Sequence, residues 1–309
     1  MKITKAGIYR GVLDADYRAD PCPEPSLTQS LCKIIIERSP KHAWIASPRL
    51  NPQFEYDDDT KFDIGNVAHR LILGRGKEID VIDFADWRKK EAQQAREDAA
   101  DAGRIAVLRH QFDQAAAMAE AAKKQLVRHE ERSAFTDGAG EVMIAWEEDG
   151  IWFRSLIDWL HDDLRTVDDF KTTAKSIAPH GLGRVAQGGG WEIQAAFIER
   201  GLDIIDPEGA GRRRYRFIVQ ETDKPHCITV MPMDEIWMTM GRKKVDAGIA
   251  RWAASIKSNR WPDYGNQAVI PEYPSFAMSS FLEREESEFD PAESARQAIK
   301  GISNNTMAG

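Results

Sequence analysis

The stretch EVMIAWEEDGIWFRSLIDWLHDDLRTVDDFKTT, residues 141–173, decides the fold of this chain. Apolar and polar residues alternate along it, and aromatic and β-branched residues are frequent, which is typical of strands. Asp149-Gly150 is a strong signal for a two-residue hairpin turn, and His161-Asp162-Asp163 marks a second turn. We therefore predict three antiparallel strands in a meander.

The first hairpin sets the register of its two strands. A turn at residues 149–150 places Val142 opposite Ile157 on an apolar face that can pack on a helix. On the other face Glu141 then lies opposite Asp158, with Cβ atoms about 5 Å apart. Two like charges at this distance destabilise a sheet unless one carboxyl is protonated or a cation lies between them.

The second hairpin adds two charged residues to the same face. A turn at residues 162–163 places Val167 opposite Asp158 and makes Asp169 the diagonal neighbour of Asp158. Lys171 points the same way as Asp169, because side chains along a strand alternate with period two. We therefore predict that these charged residues and Glu141 converge on one patch of the sheet.

Three carboxylates beside one amine suit a hard divalent cation. Mg²⁺ prefers oxygen ligands and commonly binds one or two carboxylates together with a substrate phosphate. A bound metal polarises a phosphoryl oxygen, and Lys171 would stabilise the charge that develops on the phosphate. The simpler alternative, a set of salt bridges on a solvated sheet face, stays open from the pattern alone. Asp168 and Phe170 point to the opposite side of the sheet in this register.

Helices and further strands are predicted on both sides of the meander. Before it, we predict a helix over 61–73 that ends at Gly74, and a helical insert over about 83–128 that Gly103 divides. After it come a glycine-rich loop (180–190), a helix (191–201), strands over 212–222 and 226–233, and a helix over 234–257. The fold class is α/β (α+β), with a single domain over residues 1–278 and a mobile polar tail over 279–309.

The overall charge and the cysteines exclude some classes of protein. The net charge of −8 argues against a surface that is basic throughout, although a local basic channel is compatible with it. Cys22, Cys32 and Cys227 are too few and too scattered for a four-cysteine cluster, so free thiols are expected. The sequence contains no apolar run of about 18 residues and no apolar signal core at its N-terminus, so we expect a cytoplasmic protein.

The order Glu141, Asp158 and then DFK at 169–171 resembles the PD-(D/E)XK nuclease superfamily, in particular its RecE-like and lambda-exonuclease-like phage nucleases. GNVAHRLIL (65–73) is similar to an upstream helix of that branch, whose metal-site histidine maps to His69. WEIQAAFIERG (191–201) is similar to its downstream helix, whose glutamine maps to Gln194. The resemblance implies a restriction-endonuclease-like core, in which a central mixed β-sheet is flanked by helices.

The resemblance also implies roles for individual residues. The catalytic residues would be Lys171, Glu141, Asp158, Asp169 and Gln194. The metal ligands, around Mg²⁺ with Mn²⁺ as a substitute, would be His69, Asp158, Asp169, Glu141 and the backbone carbonyl of Phe170. The family often has a tyrosine four residues after the glutamine, and here that position is Ile198. The DNA or water contact of that tyrosine is therefore not expected from Ile198.

The activity implied is an exonuclease that acts on linear double-stranded DNA ends in phage-type homologous recombination, inside a bacterial host. A single-strand annealing recombinase as a partner and a homo-oligomeric ring are implied as well. Basic side chains are the candidate DNA contacts, with a solvated strand end as the alternative for the last three: Arg184, Arg212, Arg213 and Arg214. An endonuclease or single-strand-directed nuclease on the same core, and a non-catalytic DNA-end-binding module, are the alternative functions.

Overall fold

The computed structural model of the chain describes residues 1–55 and 64–288. The strands are β1 (Gly7–Tyr9), β2 (Leu27–Thr28), β3 (Ile79–Ile82), β4 (Ile105–Leu108), β5 (Gly138–Glu148), β6 (Ile151–His161), β7 (Thr166–Thr173), β8 (Arg214–Glu221) and β9 (Ile228–Pro232). The helices are α1 (Asp14–Arg18), α2 (Gln29–Glu37), α3 (Pro40–Ile45), α4 (Ile64–Leu73), α5 (Lys90–Asp101), α6 (Arg109–Arg128), α7 (Pro179–Gly189), α8 (Trp191–Ile205), α9 (Glu235–Ser258) and α10 (Ser275–Glu288). Within these residues, no helix combines the length and the apolar character needed to span a membrane.

A mixed sheet forms the centre of the fold. Within the described residues it has seven strands, in the order β1-β5-β6-β7-β8-β9, with β2 added against β6. The strands β5, β6 and β7 are the predicted antiparallel meander, β8 lies parallel to β7, and β9 is antiparallel to β8. The central mixed sheet with an antiparallel meander is therefore confirmed. A separate two-stranded parallel sheet joins β3 to β4.

The first predicted register is confirmed and the second is wrong by two residues. Val142 pairs with Ile157, as the turn at residues 149–150 requires. Val167, however, pairs with Leu160 instead of Asp158. A slip of two residues alone would leave every side chain on its predicted face, because the side-chain period of a strand is two. The faces nevertheless differ from the prediction, since Val142 and Val167, expected on opposite faces, lie in the same core.

The cause of the slip is a turn of four residues, 162–165, where the sequence suggested two. The Asp163 carboxylate accepts hydrogen bonds from the backbone N–H groups of Arg165 and Thr166 at 2.8 and 3.0 Å. Leu164 takes a left-handed backbone conformation, with φ of 56°, and its N–H donates to the His161 carbonyl. A side chain that bonds its own backbone in this way defines a wider turn than a two-residue hairpin.

The pairing of β5 with β6 is interrupted at Glu141 and Asp158. The register is the same on both sides of the interruption, but Glu141 has a left-handed φ of 52° and no ladder partner. As a result Ala139 and Val142, three residues apart, both pack on one core, whereas a regular strand would send them to opposite faces. The interruption separates the two acidic residues from the apolar face of the hairpin.

Helices cover both faces of the sheet. The first core lies against α2, α8 and α9 and contains the ring cluster Trp146, Phe153 and Phe197. Helix α8 approaches β5 so closely that a Cβ atom at Gly201 would lie 2.5 Å from the Trp146 ring. The second core, against α4 and α6, contains Phe170. Because Val167 belongs to the first core and Phe170 to the second, alternate residues of β7 face opposite helical layers.

The predicted elements outside the meander need two corrections. The glycine-rich segment 180–190 is not a loop but the helix α7, in which Leu182 and Ala186 are buried one turn apart. The segment 83–128 contains the strand β4 between its two helices, and Gly103, with φ of 69°, separates α5 from that strand. Helix α4 ends at Gly74 as predicted, and residues 61–63 of the predicted helix lie outside the described residues.

The chain divides into two units, Met1–Tyr264 and Gly265–Gly309. Helix α10 belongs to the second unit and crosses the expected boundary between residues 278 and 279. Residues 289–309 of the expected tail lie outside the described residues. All candidate site residues belong to the first unit.

Candidate active site

Five polar side chains from four elements of the first unit, α4, β6, β7 and α8, meet at β7. The His69 Nε2 atom on α4 lies 3.1 Å from Asp158 Oδ2 on β6. The Lys171 ammonium lies 2.5 Å from Asp169 Oδ1, both on β7. The Gln194 amide on α8 donates a hydrogen bond to Asp169 Oδ2. Helices from opposite faces of the sheet thus hold the two carboxylates.

Asp158 and Asp169 face each other just beyond the last ladder pair of β6 and β7. Trp159 pairs with Asp168, so the same register continued by one residue brings the two acidic residues opposite each other. The Asp158 carboxylate closes the gap by accepting the N–H of Phe170 at 3.0 Å. The Phe170 side chain points into the second core, as predicted from its position on the strand.

Burial and mutual repulsion set the protonation of this pair. Burial raises the pKa of Asp169 to about 6; the negative charge of Asp158 adds to the effect, and Lys171 opposes it. Burial also acts on Asp158, but the charge and hydrogen bond of His69, together with Lys171 and the Phe170 amide, outweigh it and lower the pKa. Asp158 therefore ionises first as the pH rises, and Asp169 ionises only near pH 6.

The two cationic partners respond to the same carboxylates. Burial alone would lower the pKa of His69, yet Asp158, with smaller contributions from Asp169 and Glu141, raises it. Burial likewise opposes charge on Lys171, but Asp169 and Asp158 raise the pKa of its ammonium. Each carboxylate of the facing pair thus favours the charged form of the basic group beside it.

Glu141 lies on the side of the site that His69 occupies. Both residues line one cavity of about 390 Å³. Burial raises the pKa of Glu141 first, Asp158 raises it further, and the charge of His69 opposes the rise. Of the four residues predicted on one patch, Asp158, Asp169 and Lys171 are in direct contact or face each other, and Glu141 is their neighbour through His69.

A tyrosine that the sequence analysis missed also contacts the site. Tyr215 on β8 donates its hydroxyl hydrogen bond to Asp169 Oδ2 at 3.2 Å, and its side chain is buried. Burial and the charge of Asp169 raise its pKa well above the ordinary value. Ile198, the position at which related enzymes often have a tyrosine, is fully buried in the first core. The sequence signal for Tyr215 was its spacing of two residues from Phe217, which places both side chains on one face of β8. That face is the one on which the Asp169 side chain lies.

Asp168 belongs to a separate, buried charge network on the other face of β7. Arg216 Nε donates to Asp168 Oδ1 at 2.6 Å, and His161 Nε2 lies 2.7 Å from Asp168 Oδ2. Arg216 also donates to the Glu131 carboxylate at 2.8 Å. Burial works against the charge of Asp168, but the bonds from His161 and Arg216 lower its pKa. This network fixes the strand that carries Asp169 and Lys171.

Arg213 lies in the interior instead of on a DNA-facing surface. Its side chain is 4% exposed, and its Nε atom donates to Asp203 Oδ1 at 2.5 Å. Its remaining donors bond the carbonyls of Leu164, Leu202 and Asp206 at 2.5–2.8 Å. The expected DNA contact disagrees with this placement, because these donors are already bonded and the group offers almost no surface to a phosphate.

The other three predicted arginines lie at the surface. Arg184 is exposed on α7, and Arg212 is exposed and donates to the Glu208 carbonyl. Arg214 is half exposed and forms an ion pair with Glu131. Among the described residues, no hydrogen bond or ion pair joins these three arginines to Asp158 or Asp169. A DNA contact at any of them would therefore lie away from the carboxylate pair.

Comparison with known proteins identifies the family. Residues 33–272 match the family described as a PDDEXK-like domain of unknown function, DUF3799. The chain belongs to this family. The match confirms the resemblance at the level of the PD-(D/E)XK superfamily.

This DUF3799 chain is similar in fold to a solved structure. It is a crystal structure of a protein from Eubacterium rectale named "Putative exonuclease". The two structures agree with a TM-score of 0.56 at 12% sequence identity, over 90% of this chain and 98% of that one. No curated protein matches the DUF3799 chain. At this identity the similarity concerns the fold alone.

The side chains of the DUF3799 site are of the types that bind a divalent metal, but their present arrangement does not form a coordination site. PDDEXK-like nucleases generally use divalent metals, and hard divalent cations prefer carboxylate oxygens. Among the described residues, however, no three His, Cys, Asp or Glu side chains are arranged to hold an ion. Asp169 Oδ1 is buried and makes no hydrogen bond of good geometry to any described residue. A cation at this oxygen would compete with the Lys171 ammonium beside it.

Proposed function

We propose that this chain is a metal-dependent deoxyribonuclease that hydrolyses DNA phosphodiester bonds. The observation that carries the proposal is the facing pair Asp158 and Asp169 with the Lys171 ammonium against it. The half-buried Asp158 and the buried Asp169 repel each other, and a bound cation would relieve that repulsion. The family and the fold support the same activity, since both are PDDEXK-like.

The proposal gives each residue a task. Asp158, Asp169 and the backbone carbonyl of Phe170 would hold Mg²⁺ or Mn²⁺, with His69 and Glu141 as further ligands or as partners of metal-bound water. When bound, the metal would supply a Lewis acid for the phosphoryl oxygen. Lys171 would stabilise the negative charge that builds on the phosphate. Gln194 would act with Tyr215 to hold the Asp169 carboxylate in one orientation.

The finer form of the proposal is an exonuclease on linear double-stranded DNA. Its supports are the resemblance to RecE-like nucleases and the name of the Eubacterium rectale protein. A role in phage-type recombination in the cytoplasm of a bacterial host, a single-strand annealing recombinase as partner and a ring-shaped homo-oligomer belong to the same proposal. These last elements rest on the resemblance alone.

Digestion of linear and closed circular duplex DNA, with the strands of the linear form end-labelled, tests the proposal. The full chain should shorten the linear DNA in Mg²⁺ or Mn²⁺, leave the circle intact and lose activity in EDTA. Cleavage of the circle would favour an endonuclease on the same site. Binding without cleavage of any DNA form would contradict the enzyme and favour an end-binding module.

Two variants tie the activity to the site. Asp169→Ala should abolish cleavage, because it removes one of the two facing carboxylates. Asp162→Ala is the matched control, since Asp162 is an acidic residue of the neighbouring turn with its side chain mostly exposed. Equal activity of Asp169→Ala and wild type would show that the site lies elsewhere.

A further inference from the structure

A cleft with basic walls opens directly beside the candidate active site. It is the cavity of about 390 Å³ whose lining includes His69 and Glu141. Its other walls come from the segment around α1 and from the loop that joins α4 to β3, residues 74–78. Four cationic side chains line it: Arg18, Arg70, Arg75 and Lys77. We call this cavity the basic cleft.

The charges within the basic cleft are not balanced by its own acidic residues. The acidic residues of the lining are Asp14 and Glu141. Asp14 is shared by two cations, Arg18 at 2.8 Å and Lys77 at 3.7 Å. Arg75 forms no hydrogen bond or ion pair through its side chain with any residue that the structure describes. An excess of positive charge therefore stands at this place in a chain whose net charge is −8.

The loop that carries Arg75 and Lys77 packs against β5 at Gly140 and Glu141. Gly76 has a φ of 105°, and a Cβ atom there would lie 3.1 Å from Glu141 Oε1 and 3.3 Å from Arg70 Cδ. Arg70 Nε donates to the Lys77 carbonyl at 3.2 Å. The aliphatic part of Arg75 packs over Gly140. The positions of Arg75 and Lys77 relative to Glu141 are thus set by backbone contacts as well as by flexible side chains.

We propose that the basic cleft binds the sugar–phosphate backbone of the DNA strand that is cleaved, with Arg75 and Lys77 as phosphate contacts next to the reacting phosphate. This inference rests on the proposed function. Because the basic cleft shares His69 and Glu141 with the site, a strand lying in it continues to the carboxylate pair. Its volume lies in the range of about 300–1,000 Å³ that is usual for sites that bind small ligands. Phosphate is the anion that Arg and Lys side chains commonly recognise in nucleic acids.

Titration of a short fluorescein-labelled DNA duplex with the full chain, with Ca²⁺ in place of Mg²⁺, tests the inference at several salt concentrations. The double variant Arg75→Ala/Lys77→Ala should weaken binding about tenfold at about 0.1 M salt, and the slope of log affinity against log salt should become shallower by about 2. In Mg²⁺, KM should rise about tenfold with kcat changed less than about twofold. Lys124→Ala/Arg128→Ala, which removes two exposed charges of α6 outside the basic cleft, is the matched control and should behave as wild type.

Equal affinity and equal salt slope for the cleft variant and the control would overturn the inference. Circular dichroism checks that both double variants are folded. If the double variant unfolds, Arg75→Ala alone carries the test, with a change of about 1 in the slope, because its guanidinium bonds no described residue. A wild-type chain that binds DNA through the basic cleft and cuts nothing would refute the proposed function and leave the cleft assignment standing. A chain that cuts DNA, and whose DNA binding and cleavage are unchanged by the cleft substitutions, would support the proposed function and refute the cleft assignment.

Discussion

Replacing Asp169 by asparagine should make the metal-free protein more stable at neutral and alkaline pH while abolishing cleavage. The Asp169 side chain is 1% exposed, and its pKa is raised from 3.8 to about 6. A rise of about two pH units costs the ionised form about 3 kcal/mol of folding free energy, at about 1.4 kcal/mol for each unit. Asparagine does not ionise, so the variant avoids this cost.

The sign of the pH dependence follows from the raised pKa. Below about pH 4 the carboxyl is protonated in both the folded and the unfolded chain, and the cost is absent; above about pH 6 it is complete. Asparagine retains an acceptor for Gln194 and Tyr215 but loses the ion pair with Lys171, which is partly solvated. We therefore expect a net gain of about 1–2 kcal/mol near pH 8, most of which should disappear near pH 5.

Urea unfolding of Asp169→Asn and wild type at the two pH values, with and without Mg²⁺, measures these differences. Mg²⁺ should stabilise the wild type by about 2.7 kcal/mol when its concentration is a hundredfold above the dissociation constant, and should stabilise the variant far less. Asp162→Asn, an exposed substitution in the turn after β6, is the control and should change neither quantity. The reasoning fails if the variant gains no stability between pH 5 and pH 8, or if Mg²⁺ stabilises both proteins equally.

Three further substitutions probe other parts of the structure. Lys171→Ala should reduce cleavage by about 10³-fold or more and change DNA affinity in Ca²⁺ by less than about threefold, as measured by end-labelled digestion and anisotropy; near-normal cleavage would exclude Lys171 from catalysis. Gly201→Ala should lower the free energy of unfolding by about 1–3 kcal/mol, because its Cβ would lie 2.5 Å from the Trp146 ring; Gly188→Ala, whose Cβ meets no atom within 4 Å, is the control, and equal urea midpoints would contradict the packing argument. Arg216→Met should cost about 3–5 kcal/mol in urea unfolding, because Asp168 loses its buried cation; adding Asp168→Asn should recover part of the loss, and a neutral single substitution would contradict a buried ion pair.

The meander could be predicted from local signals because its first turn is short. A two-residue turn at 149–150 leaves one register for the hairpin, and this register puts Glu141 and Asp158 at the same level. The second turn depends on whether the Asp163 side chain bonds the backbone, which the residue types alone do not decide. The face of each carboxylate was not predictable either, because the interruption at Glu141 and Asp158 puts Val142 and Val167, which were expected on opposite faces, in the same core.

Contacts between distant segments could not be predicted from local patterns. Segment 180–190 is rich in glycine, and its helix is stabilised by burying Leu182 and Ala186, a tertiary effect that outweighs propensity. Arg213 stands in a run of three arginines that suggests a solvated strand end. Its side chain is nevertheless buried, because it forms ion pairs with Asp203 and Asp206 at the end of α8. His69 and Gln194 were identified only through the family resemblance, and the structure places both against the carboxylates.

Adjacent positions on β7 have opposite consequences for a mutational survey of this protein. Asp168 holds the strand in the interior, so substitutions there should reduce the amount of folded protein in the cell. Asp169 lies on the other face in an electrostatically unfavourable state, so its substitutions should leave abundance intact and remove only turnover. Comparing abundance with activity at these two neighbours would provide, within one strand, an internal standard that separates loss of structure from loss of chemistry at every other position.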